Sequence, residues 1–391
     1  MKPSQSPERQ TSDHTAPLLP INAKTSWYPA ARGGWSGGRK RILGPLALQA
    51  NFYHVMSRTC GGDIFFDDTE KEALRRILWR VADFCGVQLL TYCVMGNHFH
   101  LLASIPHRPT WMARFEGTDG ERQLLSHLRT LYSKAYIEQL EAEFREWRRL
   151  GNELAVQKKL DSFKRRLCDL SRFVKEVKER FSRWYNKRHQ RKGTLWMDRF
   201  KSVLIEGNLG KRNESESARI DIVRTMAAYI DLNPVRAGLV HDAAQYPWCG
   251  YGEAVAGKRK AQRGICRILE KPVDGWEACK VAAIYAGILS SKQPNQARAS
   301  QSKSRKSPTT KPHSPTLQSR LDAGEKLSLT DLVQQRVRLF SEAMVLGSKA
   351  FVDEVFQTQR HKFGPKRKQG ARPVTQCAAS LYSMKRVRRW T

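Results

Sequence analysis

The 391-residue sequence contains no run of 18 apolar residues, and no basic-then-apolar leader follows its first residue. A bilayer-spanning helix needs such a run, so neither a membrane protein nor a secreted one is expected. Paired cysteines are also missing. The eight cysteines (Cys60, Cys85, Cys93, Cys168, Cys249, Cys266, Cys279 and Cys377) are scattered with no C-x-x-C pair. That spacing excludes a zinc ribbon and a disulfide scaffold, and it points to a reducing compartment. The third shortage is acid. Asp and Glu number 37 against 69 Lys and Arg, leaving a formal charge of +32. A chain this self-repulsive is tolerated when a polyanion neutralises it, and nucleic acid is the commonest one. The expected location is therefore cytoplasmic and nucleoid-associated, with no membrane partner.

No internal repeat is visible. Residues 1–45 mix Pro, Gly, Arg and polar residues and read as a disordered basic arm. Asn51–Arg58 then alternates as a strand does, with Phe52, His54 and Met56 on one face and Tyr53, Val55 and Ser57 on the other. Asp67 or Asp68 caps a helix running to Cys85, with Leu74, Ile77, Leu78, Val81 and Phe84 at helical spacing and Gly86 as its stop. Val87–Met95 reads as a strand, Gly96-Asn97 as a tight turn, and His98–Ile105 as the next strand.

Residues 108–190 read as an insertion of two or three long helices, with an apolar stripe of Phe173, Val174, Val177, Phe181 and Trp184. Phe200–Ile205 is strand-like. A further helix, capped by Ser215 or Ser217, carries Ile220, Val223, Ala227 and Ile230 and should end at Asn233, ahead of Pro234. Residues 256–325 form a connecting region whose last part, 289–325, is a Ser-, Lys- and Pro-rich linker. Residues 326–391 read as a small helical C-terminal module with a basic tail at Lys362–Arg372, expected to anchor DNA without reading its sequence.

The chemistry centres on His98-Phe99-His100. Period-2 geometry places both imidazoles on one strand face, about 7 Å apart along the backbone, with Phe99 on the other. Two nitrogen donors suit one divalent cation and leave its remaining positions to oxygen, as Mg²⁺ or Mn²⁺ prefers; zinc would ask for a third strong ligand. A nucleophile for phosphoryl transfer is available in Tyr229, which shares a helix face with Asn233 four residues later. The same line runs back through Ile222 and Met226, a pattern shared by a tyrosine packed at a core edge. Tyr53, Tyr92, Tyr132, Tyr136 and Tyr185 are alternatives, and Tyr185 is the strongest of them because basic residues surround it.

Four ordered blocks carry a resemblance: Y-H-V-M-S-R, C-V-M-G-N-H-F-H-L-L, G-T-L-W-M-D-R-F-K-S and A-A-Y-I-D-L-N-P-V-R-A-G-L-V. Over residues 46–255 the chain resembles the single-tyrosine HUH transposases with an IS200-like domain, and within them the REP-associated tyrosine transposases. That resemblance implies an α+β fold with a ferredoxin-like antiparallel sheet and helices on one face. It also implies His98, His100 and Asn233 as metal ligands and Tyr229 as the nucleophile, and it selects Tyr229 over Tyr185. The implied activity is cleavage and rejoining of single-stranded or hairpin DNA through a 5′-phosphotyrosine, with Mg²⁺ or Mn²⁺, by a monomer or homodimer. The stretch between His100 and Trp196 is long for such a protein, and the C-terminal module has no counterpart in minimal members.

The nucleic-acid surface is expected on the basic run Lys164–Lys192, through Arg183, Lys187, Arg188, Arg191 and Lys192, with Phe181 and Trp184 packed inward. Arg199 and Lys201 flank the strand near the site and suit either the cleaved strand or edge protection. Two other functions fit the same residues: a non-catalytic DNA- or RNA-binding regulator with structural histidines, and a metal-dependent hydrolase without a covalent step.

Overall fold

The computed structural model describes residues 41–45, 48–207, 221–290, 320, 324–334, 338–375 and 377–385. Most of the expected basic arm, most of the linker and the Ser215/Ser217 cap lie outside these residues. Among the described residues seven strands form one sheet: β1 Ala50–Arg58, β2 Gln88–Val94, β3 His98–Pro106, β4 Lys201–Ile205, β5 Val345–Gly347, β6 Arg372–Pro373 and β7 Tyr382–Ser383. Their spatial order is β2-β3-β1-β4-β5-β7-β6.

Each neighbouring pair among the first four strands is antiparallel. With α1 (Asp68–Cys85) between β1 and β2, and α2 (Leu170–Arg188) between β3 and β4, they make the β-α-β-β-α-β order of a ferredoxin-like unit. The local signals explain the elements. Asp67 accepts from the backbone N–H groups of Thr69 and Glu70, while the Glu70 carboxylate accepts from the Asp67 N–H, a reciprocal capping box. Gly86 ends α1 at φ 67°, a left-handed position where a Cβ would also lie 2.5 Å from the Trp111 ring.

Alternation along β1 and β3 splits the core in two. Tyr53, Val55, Phe99, Leu101 and Ala103 face α1 and α2. Phe52, Leu102, Val203 and Ile205 face α3 (Ile222–Asp231) and α4 (Arg259–Ile268). The α+β class is as expected, but helices cover both faces where the sequence suggested one. The physical reason is that β1–β3 are apolar in both registers, so a second layer is needed to keep the second face dry.

Other details differ. α2 is the second helix of the ferredoxin-like unit, so the added helices are those between β3 and it, at Arg108–Met112, Gly120–Leu128, Lys134–Arg149 and Glu153–Lys164. The N-cap of α3 is Asp221, which accepts from the Arg224 N–H at 2.8 Å, and the helix closes at Asp231, two residues ahead of the expected stop. The C-terminal residues do carry helices, among them α5 (Lys349–Thr358), but β5 pairs in parallel with β4, and β7 and β6 lengthen the sheet beyond it. The segment expected as a basic tail is folded: Arg367 lies over Phe363 at 4.7 Å and donates to the Gln369 and Gly370 carbonyls at 3.0 Å.

Candidate active site

The face of the sheet that carries the histidines is set by register. His98 pairs with Arg58 and His100 with Met56 across β1 and β3. His54, on the same face of β1 two residues before Met56, therefore lies diagonal to His100. The three rings form a line: His98 and His100 have centroids 5.1 Å apart and edge-on, and His54 and His100 are stacked at 5.1 Å. His54 and His100 are 1% and 3% exposed. Burial pushes His54 down to about 4, partly opposed by its bond to the Phe340 carbonyl. Burial holds His100 well below the ordinary histidine value, helped by His54, His98, Arg236 and Arg58 nearby. Both rings are accordingly neutral at physiological pH.

A neutral imidazole has one N–H, and the partners say where it sits. The Asn97 amide nitrogen donates to the Gly62 carbonyl at 2.6 Å, which turns its oxygen toward His98. His98 Nδ1 lies 2.6 Å from that oxygen and so carries the proton. The Asn97 carbonyl is itself held by the Thr59 N–H and hydroxyl, at 2.9 and 3.0 Å, so the loop before α1 clamps the tip of the β2–β3 hairpin. The Asn97 contact thus fixes a proton on Nδ1 and leaves Nε2 as the nitrogen suited to ligate a cation. Among the described residues no group of three or more His, Cys, Asp or Glu side chains is placed to hold a metal ion.

Across this face lies Tyr229, 7% exposed on α3. Its ring meets His100 edge-on at 6.2 Å, His54 at 6.1 Å and Phe340 at 4.7 Å. The Arg236 guanidinium sits over the Tyr229 ring, 4.4 Å from its centroid, and donates to the Tyr229 carbonyl at 2.6 Å and the Val333 carbonyl at 2.8 Å. The rival tyrosines are elsewhere. Tyr185 packs on the opposite face against Phe65, Phe181 and His189, and Tyr53 accepts from the Gly44 N–H. Tyr92 donates to Glu253, while Tyr132 and Tyr136 stack on each other among the added helices.

The structure brings His98, His100 and Tyr229 together. Asn233 is one turn beyond Tyr229, and its amide nitrogen donates back to the Tyr229 and Ile230 carbonyls at 3.2 and 3.0 Å, capping α3. His54, Arg236 and Phe340 were not singled out from the sequence. His54 carried one signal, a polar residue in the alternation of a strand whose same face holds Phe52 and Met56.

The expected nucleic-acid residues are mostly on the surface. Arg183, Lys187, Lys192, Arg199 and Lys201 are exposed. Arg188 pairs with the buried Glu70 carboxylate at 3.3 Å, and Arg191 lies over Phe65 at 5.3 Å, so both have structural partners. Arg199 and Lys201 line a cleft of about 600 Å³ with Arg41 and Lys385, opened between β4 and the C-terminal segment. No helix of the described residues is long and apolar enough to cross a membrane.

No protein-family model and no curated protein matches the chain. A solved structure of a REP-associated tyrosine transposase bound to a REP hairpin is similar at 15% identity and a TM-score of 0.32, over 56% of this chain and 86% of that one.

Proposed function

We propose that this chain is a metal-assisted tyrosine nuclease and strand transferase acting on single-stranded or hairpin DNA. The observation that carries the reading is the placement of Tyr229 edge-on to His100 on the face that holds the histidine pair. The four motif blocks and the charge of +32 support it. His98 and His100 would hold a Mg²⁺ or Mn²⁺ ion, with Asn233 as an added oxygen donor if its side chain turns from the helix end. Such an ion supplies charge neutralisation at a scissile phosphate.

The chain's own residues do the rest. The phenolate oxygen of Tyr229 attacks phosphorus, and the bond from phosphorus to the 3′-oxygen breaks. The phenol proton leaves to solvent, and the departing 3′-oxygen takes one up to become a hydroxyl. The product is a 5′-phosphotyrosine that keeps the phosphodiester bond energy for rejoining. Arg236 lies over the ring and fixes it through the Tyr229 and Val333 carbonyls. Arg183, Lys187 and Lys192 on α2 and its exit, with Arg199 and Lys201, contact the DNA backbone.

The test is incubation of the purified protein with an end-labelled hairpin oligonucleotide and Mn²⁺ or Mg²⁺, resolved on denaturing gels. A protein-linked band that disappears with Tyr229→Phe is expected. Cleavage that survives Tyr229→Phe removes the covalent step and leaves a hydrolase. Binding without cleavage under either metal leaves a DNA-binding regulator.

A further inference from the structure

Two ring nitrogens of the site meet directly: His100 Nδ1 lies 2.8 Å from His54 Nε2. His54 Nδ1 in turn lies 2.7 Å from the Phe340 carbonyl, 286 residues along the chain. A carbonyl only accepts, so the His54 proton is on Nδ1. The neutral ring has no second proton, so its Nε2 accepts, and the only proton available to that bond is on His100 Nδ1. The order Phe340 carbonyl, His54, His100 therefore leaves the His100 lone pair on Nε2. Asn97 imposes the same tautomer on His98 by a separate route.

We propose that His54 is a positioning residue that fixes the tautomer and ring plane of His100, and that the C-terminal segment sets it through the Phe340 carbonyl. This rests on the reading of His98 and His100 as a cation-binding pair. His54 is suited to the task because it cannot move. It lies mid-strand in β1, between β3 and β4, paired with Leu102 on one side and Val203 on the other. The consequence is that the segment around Leu339–Glu342, immediately before β5, is joined to the site as well as to the sheet. A histidine whose Nδ1 has lost its acceptor is free to carry the proton on Nε2, which blocks ligation until it is removed.

The experiment uses the full chain labelled with ¹⁵N-histidine and no metal, with long-range ¹H–¹⁵N correlations giving the tautomer of each ring. His100 is expected as the Nδ1–H form in the wild type and in His54→Gln, whose side-chain oxygen reaches the position of Nε2. In His54→Leu it should become a mixture or the Nε2–H form. His54→Asn serves as a second variant, able to donate to Phe340 but too short to reach His100, and should behave like His54→Leu. Mn²⁺ affinity by calorimetry should fall about 10–100-fold in His54→Leu and His54→Asn and stay within about threefold in His54→Gln. A wild-type His100 in the Nε2–H form, or an unchanged tautomer in both disrupting variants, overturns the proposal. A wild-type protein that shows the expected tautomers but binds no Mn²⁺ upholds the relay and overturns the cation-binding reading instead.

Discussion

The two faces of one hairpin behave as different materials. On β3, Phe99 is wholly buried against Trp196, while His98 and His100 on either side of it point the other way, with His100 meeting Tyr229. On β1, Tyr53 and Val55 pack under α1 and α2, whereas His54 between them joins the histidine line. One residue of offset separates a packed core from a polar site. The apolar face is held by area and shape. The other face also packs apolar side chains (Phe52, Leu102, Val203 and Ile205), but the histidines set into it are held by single hydrogen bonds whose partners must be oriented. A rigid apolar face next to an oriented polar one is what preorganised chemistry needs, because the core keeps the strands from shifting under the site.

The contrast predicts different failures on the two faces. The largest effect belongs to Tyr229→Phe, which deletes the attacking oxygen and leaves the ring; the covalent adduct on hairpin oligonucleotides should vanish, with the thermal midpoint near that of the wild type. Phe99→Ala should do the reverse. It removes a wholly buried ring, at a cost of about 3–5 kcal/mol, and urea unfolding should record that loss before any specific change in chemistry. An adduct lost with stability intact in Phe99→Ala would erase the distinction between the faces.

His98→Ala comes next. The account expects a cleavage rate at least about a hundredfold lower, about 2.7 kcal/mol of barrier or more, while hairpin affinity by fluorescence anisotropy stays within about threefold. Equal loss of binding and cleavage would make the histidine structural. The smallest effect is expected from Lys187→Ala or Lys192→Ala on the exposed basic surface. Each should weaken DNA binding on all sequences alike and lower the slope of log affinity against log salt by about one. An unchanged slope would move the DNA path off that surface.

Much of this is legible in the sequence. The β1 alternation, the Asp67 cap of α1, its Gly86 stop and the hairpin at Gly96-Asn97 are all local signals, and each forms where the sequence places it. His98 and His100 share a face because a strand has period two. What was not legible depends on distant partners. Nothing in residues near His54 announces that its ring will meet a backbone carbonyl contributed by Phe340, since every residue has a carbonyl. β5 is three residues long and follows a helical pattern, so its strand character comes from pairing with β4 and not from its own sequence. Tyr185 looked basic enough for a nucleophile, but α2 is amphipathic, and its apolar side turns that tyrosine into the opposite core. Asn233 shares a helix face with Tyr229, yet its amide nitrogen is drawn to the free carbonyls at the end of α3.

The central claim is that Tyr229 is the atom donor on the polar face, and peptide mapping of the adduct tests it most directly. Trypsin cleaves after Arg224 and Arg236, releasing Thr225–Arg236 with Tyr229 as its one tyrosine. After reaction with a hairpin oligonucleotide and nuclease trimming, mass spectrometry should find the nucleotide mass on that peptide alone. The same mass on Trp184–Lys187, which carries Tyr185 from the apolar face, would contradict the account.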